Sequence, residues 1–232
     1  MNDVLIGWVH PGKVHTPFLD SLLRTIAYDI AAGGRRIAGW NGVQCSANIS
    51  SGRNEMVKWF LDSPAQWLMM IDTDMVWSHD AVHQLLAVAN PDSMPIVGGL
   101  CFGLESDTGR AFPTLYDITG TGEEPEFLRY DEFPENTLMP VMGTGAAFLL
   151  LHRKALEKVR DRAFSEAYPW FQERELAGKR VGEDLTLCIR AASCEVPVYV
   201  HTGVQIGHIK EQVVSAATFQ AQRATAPAVE ES

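Results

Sequence analysis

Apolar residues along this chain fall into two patterns: short unbroken runs, and stretches in which they recur every three or four positions. The runs are Val4–Val9, Trp67–Ile71, Pro95–Leu100, the later part of Val141–Leu151, and Val196–Val200. Each is of strand length and rich in Val, Ile, Leu or Met, as expected of strands buried on both faces of a parallel sheet. Between them lie stretches with helical spacing: Phe18, Leu22, Leu23, Ile26 and Ile30; Met56, Trp59, Phe60 and Leu61; Ala81, Val82, Leu85, Leu86 and Val88; Arg153 to Val159; and Leu185 to Ala192. Alternation of run and helical stretch predicts βαβ units: an α/β, Rossmann-like fold with a mostly parallel central sheet flanked by helices in one domain.

Local signals refine the boundaries. Thr16-Pro17 opens the first helix and Gly33-Gly34 closes it. Arg35 to Trp40 is expected as a second strand, and Ser46 to Ser51 as a polar loop. The next helix then opens at Gly52, which puts Arg53 in its first turn, where a cation opposes the helix dipole. That mismatch is relieved if Arg53 meets a phosphate or a strand-end aspartate. Ser78 is the expected N-cap of the third helix. Pro197 marks Val196–Val200 as an edge strand, with Val204–Ile209 following it. Residues 103–137 read as a loop or hairpin insertion anchored by Phe127, Tyr130 and Phe133, and Ala163 to Gly178 as a loosely amphipathic segment. The folded domain is expected over residues 1–212, with 213–232 a tail forming a short, fraying helix.

With 232 residues, 46% of them hydrophobic, the chain is long enough for a substantial core. The net charge of −10, and six acidic residues against one arginine between Gly120 and Glu135, disfavour a duplex-DNA surface without excluding a local basic groove. No apolar run approaches the roughly 18–20 residues that span a bilayer, and the N-terminal residues lack a signal-like pattern. Cys45, Cys101, Cys188 and Cys194 form no CxxC pair and read as reduced thiols. A cytoplasmic protein is the resulting expectation.

The chemistry gathers at the end of Trp67–Ile71, where Asp72-Thr73-Asp74 follows directly. Ligands of open α/β sheets bind at the carboxyl ends of strands. Two carboxylates there repel unless a cation or a ligand's positive group offsets them, and a hard divalent ion holding a diphosphate is the simplest resolution. Further candidates are Glu183-Asp184 at a helix start, His208 beside Gly207, and the glycines flanking Thr144 (Gly143 and Gly145), where backbone can approach a substrate or make a tight turn. His79 and His83 are spaced as a helical metal pair, but without the glutamate of HExxH they read as a solvated face.

Asp72-Thr73-Asp74, then Gly182-Glu183-Asp184 with Arg190 on its helix, then Gly207-His208, all preceded by Arg53-Asn54, resemble the GT-A class of nucleotide-sugar glycosyltransferases, particularly family 2-like members. The similarity covers about residues 3–210. It implies a GT-A fold and transfer of a sugar from a nucleotide-diphosphate donor, most simply a UDP-sugar, to an acceptor hydroxyl. By the resemblance, Asp72, Asp74 and His208 would hold Mn²⁺ or Mg²⁺. Val9, His10, Arg53, Asp72 and Thr73 would lie along the nucleotide, with Gly143, Thr144 and Gly145 along the donor sugar and acceptor. Glu183-Asp184 resembles the acidic pair whose aspartate is the acceptor's general base in inverting members. The closing segment also resembles retaining polypeptide N-acetylgalactosaminyltransferases, so inversion is preferred and retention stays open. The compact length resembles bacterial and bacteriophage-encoded transferases, which would place the protein in a host cytoplasm.

Three other classes compete. A haloacid-dehalogenase-like phosphatase also ends a strand in DxD, but nearer its N-terminus and without Met75-Val76 following. A sugar-nucleotide nucleotidyltransferase would carry a more glycine-rich, basic loop than Gly12-Lys13 after the first strand. A non-catalytic sugar-binding or virion protein with a relic transferase fold need not keep the acidic and histidine set. The acceptor class is open among a protein, a glycan and a modified nucleobase.

Overall fold

The computed structural model describes residues 3–45, 48–105, 108–119, 126–163, 167–176 and 178–211, with 213, 215, 216 and 220. Most of the tail expected over 213–232, and part of the acidic 120–135 segment, lie outside the described residues. The first half of the chain runs β1 (Val4–His10), α1 (Thr16–Ala31), β2 (Ile37–Gln44), α2 (Ile49–Leu61), β3 (Trp67–Ile71), β4 (Met75–Val76), α3 (Ala81–Val88) and β5 (Ile96–Leu100). Short strands follow: β6 (Phe102–Leu104), β7 (Ala111–Pro113), β8 (Leu115–Thr119), β9 (Glu126–Arg129), β10 (Leu138–Val141) and β11 (Gly143–Thr144). The chain then continues through β12 (Phe148–His152), α4 (Arg153–Arg162), β13 (Arg174–Leu176), β14 (Lys179–Val181), α5 (Glu183–Ser193), β15 (Val198–Gln205) and β16 (Gly207–His208).

Seven strands form the central sheet in the order β10-β15-β5-β12-β3-β1-β2. Only β12 and β10 run against the others, so the sheet is mostly parallel, as the sequence predicts. The period of two along each strand divides the core into two layers. Leu68 and Met70 of β3 join α2, α4 and α5 on one face. Trp67, Met69 and Ile71 join α1 and α3 on the other. All five β3 residues are buried, which accounts for the unbroken apolar run.

Several boundaries differ from expectation for identifiable reasons. α2 starts at Ile49, because Asn48 caps it by accepting from the Ser51 N–H at 3.0 Å; the expected loop is cut short and Arg53 stands beyond the first turn. α3 is flanked by Asp80 at its N-cap position, while Ser78 donates to the Asp80 carboxylate at 2.8 Å. β15 is not an edge: Pro197 precedes the strand, which pairs with both β5 and β10 and runs on to Gln205, at the start of the stretch expected to follow it. The 103–137 insertion contains short hairpins, and the 163–178 segment leads into the β13-β14 hairpin. Gly99 marks a close approach of backbone, since a Cβ there would stand 3.1 Å from the Val204 carbonyl oxygen.

Arg153 joins the layers. Its guanidinium donates to the carbonyls of Phe60, Leu61, Ser63 and Ala65, where α2 ends and the chain turns into β3, and it lies 5.0 Å over the Phe60 ring. It thereby satisfies carbonyls that a helix C-terminus leaves open. Replacing Arg153 with Met keeps most of the apolar stem and removes every donor. The expected cost is about 2–3 kcal/mol, measurable as a lower urea midpoint with an unchanged slope; an unshifted midpoint would show that water replaces the guanidinium at no cost.

Candidate active site

Buried Arg53 organises the carboxyl end of β3. Its side chain is 3% exposed, and both terminal nitrogens are engaged. Nη2 donates to Asp72 Oδ1 and Oδ2 at 2.8 and 2.9 Å, and Nη1 donates to Glu183 Oε1 at 2.5 Å. Three elements (α2, the end of β3 and the start of α5) therefore meet on one guanidinium. Of the two anions expected for Arg53, the structure supplies the strand-end aspartate. Burial opposes its charge, but the facing carboxylates win and raise its pKa above the usual arginine range. Its Nε is buried and has no hydrogen-bond partner among the described residues.

Asp74, two residues on, faces the opposite end of the chain. The antiparallel pair β4-β16 brings His208 opposite Met75, and the Ile209 N–H donates to the Asp74 carbonyl at 2.8 Å. His208 Nε2 then stands 2.9 Å from Asp74 Oδ2, and Nδ1 2.7 Å from the Phe102 carbonyl oxygen. A carbonyl only accepts, so Nδ1 carries a proton. The Asp74 carboxylate also accepts, so a hydrogen bond at Nε2 as well requires the doubly protonated ring, an imidazolium. The hydrogen bond to Asp74 accordingly raises the His208 pKa against the effect of burial. Burial pushes the Asp74 carboxyl up, but the bond and charge of His208 outweigh it and hold the group below the usual aspartate value.

Asp184 lies on the other side of Glu183. Burial is the main cause of its raised pKa; the charges of Glu183 and Asp72 act in the same direction, and Arg53 opposes them. The Leu185 N–H donates to its Oδ1 at 2.7 Å. Its Oδ2 lies 3.7 Å from where a Cβ on Gly145 would stand, an ordinary van der Waals contact that places Gly145 beside the carboxylate. Gly143 is packed in β11, and a Cβ there would come within 2.8 Å of Leu185. Thr144 is buried and its hydroxyl donates to the Thr114 carbonyl at 2.9 Å, which makes it a structural tie within this loop.

Val9, His10, Asp72, Thr73 and Asp74 line one open cleft of about 320 Å³, together with Pro11, His15, Cys45 and Ile49. Seven of the twelve expected site residues thus line this cleft (Val9, His10, Asp72, Thr73 and Asp74) or bond directly to its carboxylates (Arg53 and His208); Glu183 reaches it through Arg53. Gly145 joins Asp184, whereas Gly143 and Thr144 turn into the fold. Sequence reading missed the Phe102 carbonyl, which can be found only once β6 is placed beside β16. It also missed His15, which directly precedes the Thr16-Pro17 helix start. Tyr168 borders a second cleft of about 460 Å³ beyond Ile49, while Trp170 and Phe171 are core. Arg190 donates to the Tyr168 carbonyl and the Gln172 side chain, at 2.6 and 2.7 Å, and so ties α5 to this segment. His79 is exposed, as expected of a solvated face, whereas His83 is half-buried; both rings pack edge-on against Tyr28, and His83 Nε2 stands 3.0 Å from Asp29.

No protein-family model and no curated protein matches the sequence. Solved structures do match it in fold. A197 from STIV superposes with a TM-score of 0.59 at 18% identity, covering 90% of this chain and 86% of that one. GalNAc-T7, solved with UDP, GalNAc and Mn²⁺, superposes with a TM-score of 0.60 at 10% identity and covers 95% of this chain, which spans 47% of the GalNAc-T7 chain. The sheet order, the two helical layers and these superpositions together establish that this chain has the GT-A glycosyltransferase fold.

Proposed function

We propose that the protein is a metal-dependent glycosyltransferase that moves a sugar from a nucleoside-diphosphate donor, most simply a UDP-sugar, to an acceptor hydroxyl. The observation that carries this reading is the division of labour at the strand end. Asp72 is neutralised inside the protein by Arg53, Asp74 faces His208 at the cleft, and Asp184 stands apart with its basicity raised. GalNAc-T7, which shares the fold, was solved with UDP, GalNAc and Mn²⁺, and that supports the choice of donor and ion.

Asp74 and His208 fit an ion of this kind. They offer one carboxylate oxygen and one imidazole nitrogen across a 2.9 Å gap now bridged by a proton. The Phe102 carbonyl fixes the Nδ1 proton, so loss of the other proton exposes the Nε2 lone pair towards Asp74, the arrangement that orients metal-binding histidines. A nitrogen donor favours Mn²⁺ over Mg²⁺. A bound divalent ion would supply Lewis-acid stabilisation of the negative charge on the departing diphosphate. Asp72, with both oxygens held by Arg53, retains lone pairs for a ribose hydroxyl or for the ion. Asp184 would take the acceptor hydroxyl's proton; its raised pKa makes it a stronger base than an exposed aspartate. Glu183 and Arg53 position it. A base on the acceptor side suits an inverting displacement, read out as the anomeric configuration of the product. The described residues include no helix long and apolar enough to cross a membrane, and the four cysteines are unpaired, which fits the reducing cytoplasm proposed for the protein.

Mn²⁺ with a UDP-sugar should raise the melting temperature of the wild type, since ligand at about 100 times Kd adds about 2.7 kcal/mol. Asp74→Ala should abolish that shift, whereas Asp184→Asn should keep it and lose about 10²–10⁴-fold in turnover. No shift with UDP-, GDP- or dTDP-sugars under saturating Mn²⁺ would contradict the reading.

The Asp74–His208 pair also predicts a pH window. His208 has a raised folded pKa, so its contribution is complete below about pH 6.5, its unfolded value, and fades as pH rises through the folded one. Asp74 has a lowered folded pKa, so its contribution is present above about pH 4 and is lost as pH falls through the folded value. Between about pH 4 and 6.5, a double-mutant cycle of Asp74→Asn and His208→Ala should give a coupling of about 1 kcal/mol, reduced by partial exposure to solvent. Without metal the coupling should fall as pH rises through the raised folded value of His208. A coupling independent of pH would rule out the imidazolium.

A further inference from the structure

α1 carries a second apolar stripe, which the core meets only at Ile26. Its buried side is Phe18, Ser21, Leu22, Thr25 and Asp29. At 100° per residue, Leu19, Leu23, Ile26 and Ile30 fall within about 60° of one another on one flank of that side. Leu19, Leu23 and Ile30 are 43%, 57% and 55% exposed, and Ile26 is half-buried. Their 4-3-4 spacing is that of a coiled-coil seam. Tyr28 lies on the other flank, packed on His79 and on His83 of α3, and α3 sits over β5 and β15. The apolar stripe therefore faces the opposite way, towards the β2 edge of the sheet.

That edge is open among the described residues: β2 is terminal in the sheet order. It is eight residues long and contains no charged residue and no proline, the devices by which natural sheets discourage edge pairing. The other terminal strand, β10, is half as long and carries Pro140. Trp40, 54% exposed, sits at the middle of β2 opposite Ile6, and so shares the α1 face of the sheet.

We propose that this surface joins two copies of the chain about a two-fold axis perpendicular to the central sheet, an inference independent of the glycosyl-transfer reading. Such an axis pairs β2 with its symmetry mate antiparallel, extending the sheet, and sets the two α1 helices antiparallel on the same face. The exposed stripe of each then meets that of the other, over the two Trp40 side chains. One operation covers both unpartnered features, the self-complementarity that an isologous dimer requires. Charge permits it: on a chain of net charge −10, β2 has no ionic group, and Asp20 and Arg24, the exposed charges of α1, pair with each other at 2.7 Å. The size suffices as well. A strand of about 26 Å beneath a helix of about 24 Å, in layers about 10 Å apart, gives a face of roughly 500 Å² per copy, or about 1,000 Å² in total, the lower bound for a specific interface. The two clefts would lie at opposite ends of the joined sheet, both open.

The test is sedimentation velocity on the full chain at about 50 µM, well above a Kd of about 1 µM. Wild type should sediment at twice the 25.6 kDa chain mass. Leu23→Glu and Trp40→Lys, both at exposed positions, should sediment at the single-chain mass with an unchanged circular dichroism spectrum. Leu128→Glu, at an exposed position on β9, should remain dimeric. A monomeric wild type overturns the proposal, and so does a dimer that survives both substitutions. A chain that dimerises only after removal of the residues beyond Glu211 also overturns it, because its own C-terminal residues would then cover the face.

Discussion

A guanidinium sealed inside a protein must be compensated where it stands, and Arg53 meets that demand with carboxylates from two distant parts of the chain. Asp72 lies 19 residues away and Glu183 lies 130. Removing either partner would leave a buried charge uncompensated, at a cost of about 3–5 kcal/mol. The triad is therefore poor evidence of added stability, since well-packed apolar groups could do as well. Its consequence is positional. With Arg53 held on α2, the end of β3 and the start of α5 have one relative placement, and with them Asp74 and Asp184. Asn54, the next residue, extends the constraint by bonding to the backbone of Trp170 and Phe171, which closes the core beneath α5.

Three acidic side chains at this end of the sheet divide into different electrostatic environments. Asp72 receives two hydrogen bonds from Arg53. Asp74 is held low by His208 despite burial. Asp184, buried and next to other carboxylates, is held high. Environments that push equivalent groups apart are how one fold separates binding from proton transfer. The Asp74–His208 contact has a further implication in the proposed function: its bridging proton stands where a cation would sit, so proton and ion compete for one place and metal affinity should rise with pH.

Much of this was legible in the sequence because the signals were local. Five apolar residues ending in Asp-Thr-Asp identified β3 and the acidic end that lines the cleft, and an arginine misplaced for a helix dipole pointed to a nearby anion. The anion was there, although the helix begins earlier than expected because Asn48, set among small polar residues that resemble a loop, is its cap. Pro197 misled for a related reason: it stands one residue outside β15, where it forfeits no ladder bond, so the strand can be interior. What the sequence withheld was long-range pairing. That β12 enters antiparallel, that Phe102 supplies a carbonyl to His208, and that Thr144 turns inward to Thr114 all depend on which strands become neighbours, and no local period encodes that.

The central claim is that Asp74 and His208 hold the ion that the donor diphosphate shares. The most direct measurement is electron-spin-echo spectroscopy of bound Mn²⁺ with UDP, recorded on the alkaline side of the pH range in which the ion binds, because the ion and the second proton of His208 compete. The account predicts a nitrogen coupling from a directly bound imidazole, lost in His208→Asn while the phosphorus coupling of the nucleotide persists. Bound Mn²⁺ with phosphorus coupling and no nitrogen coupling in the wild type would contradict it.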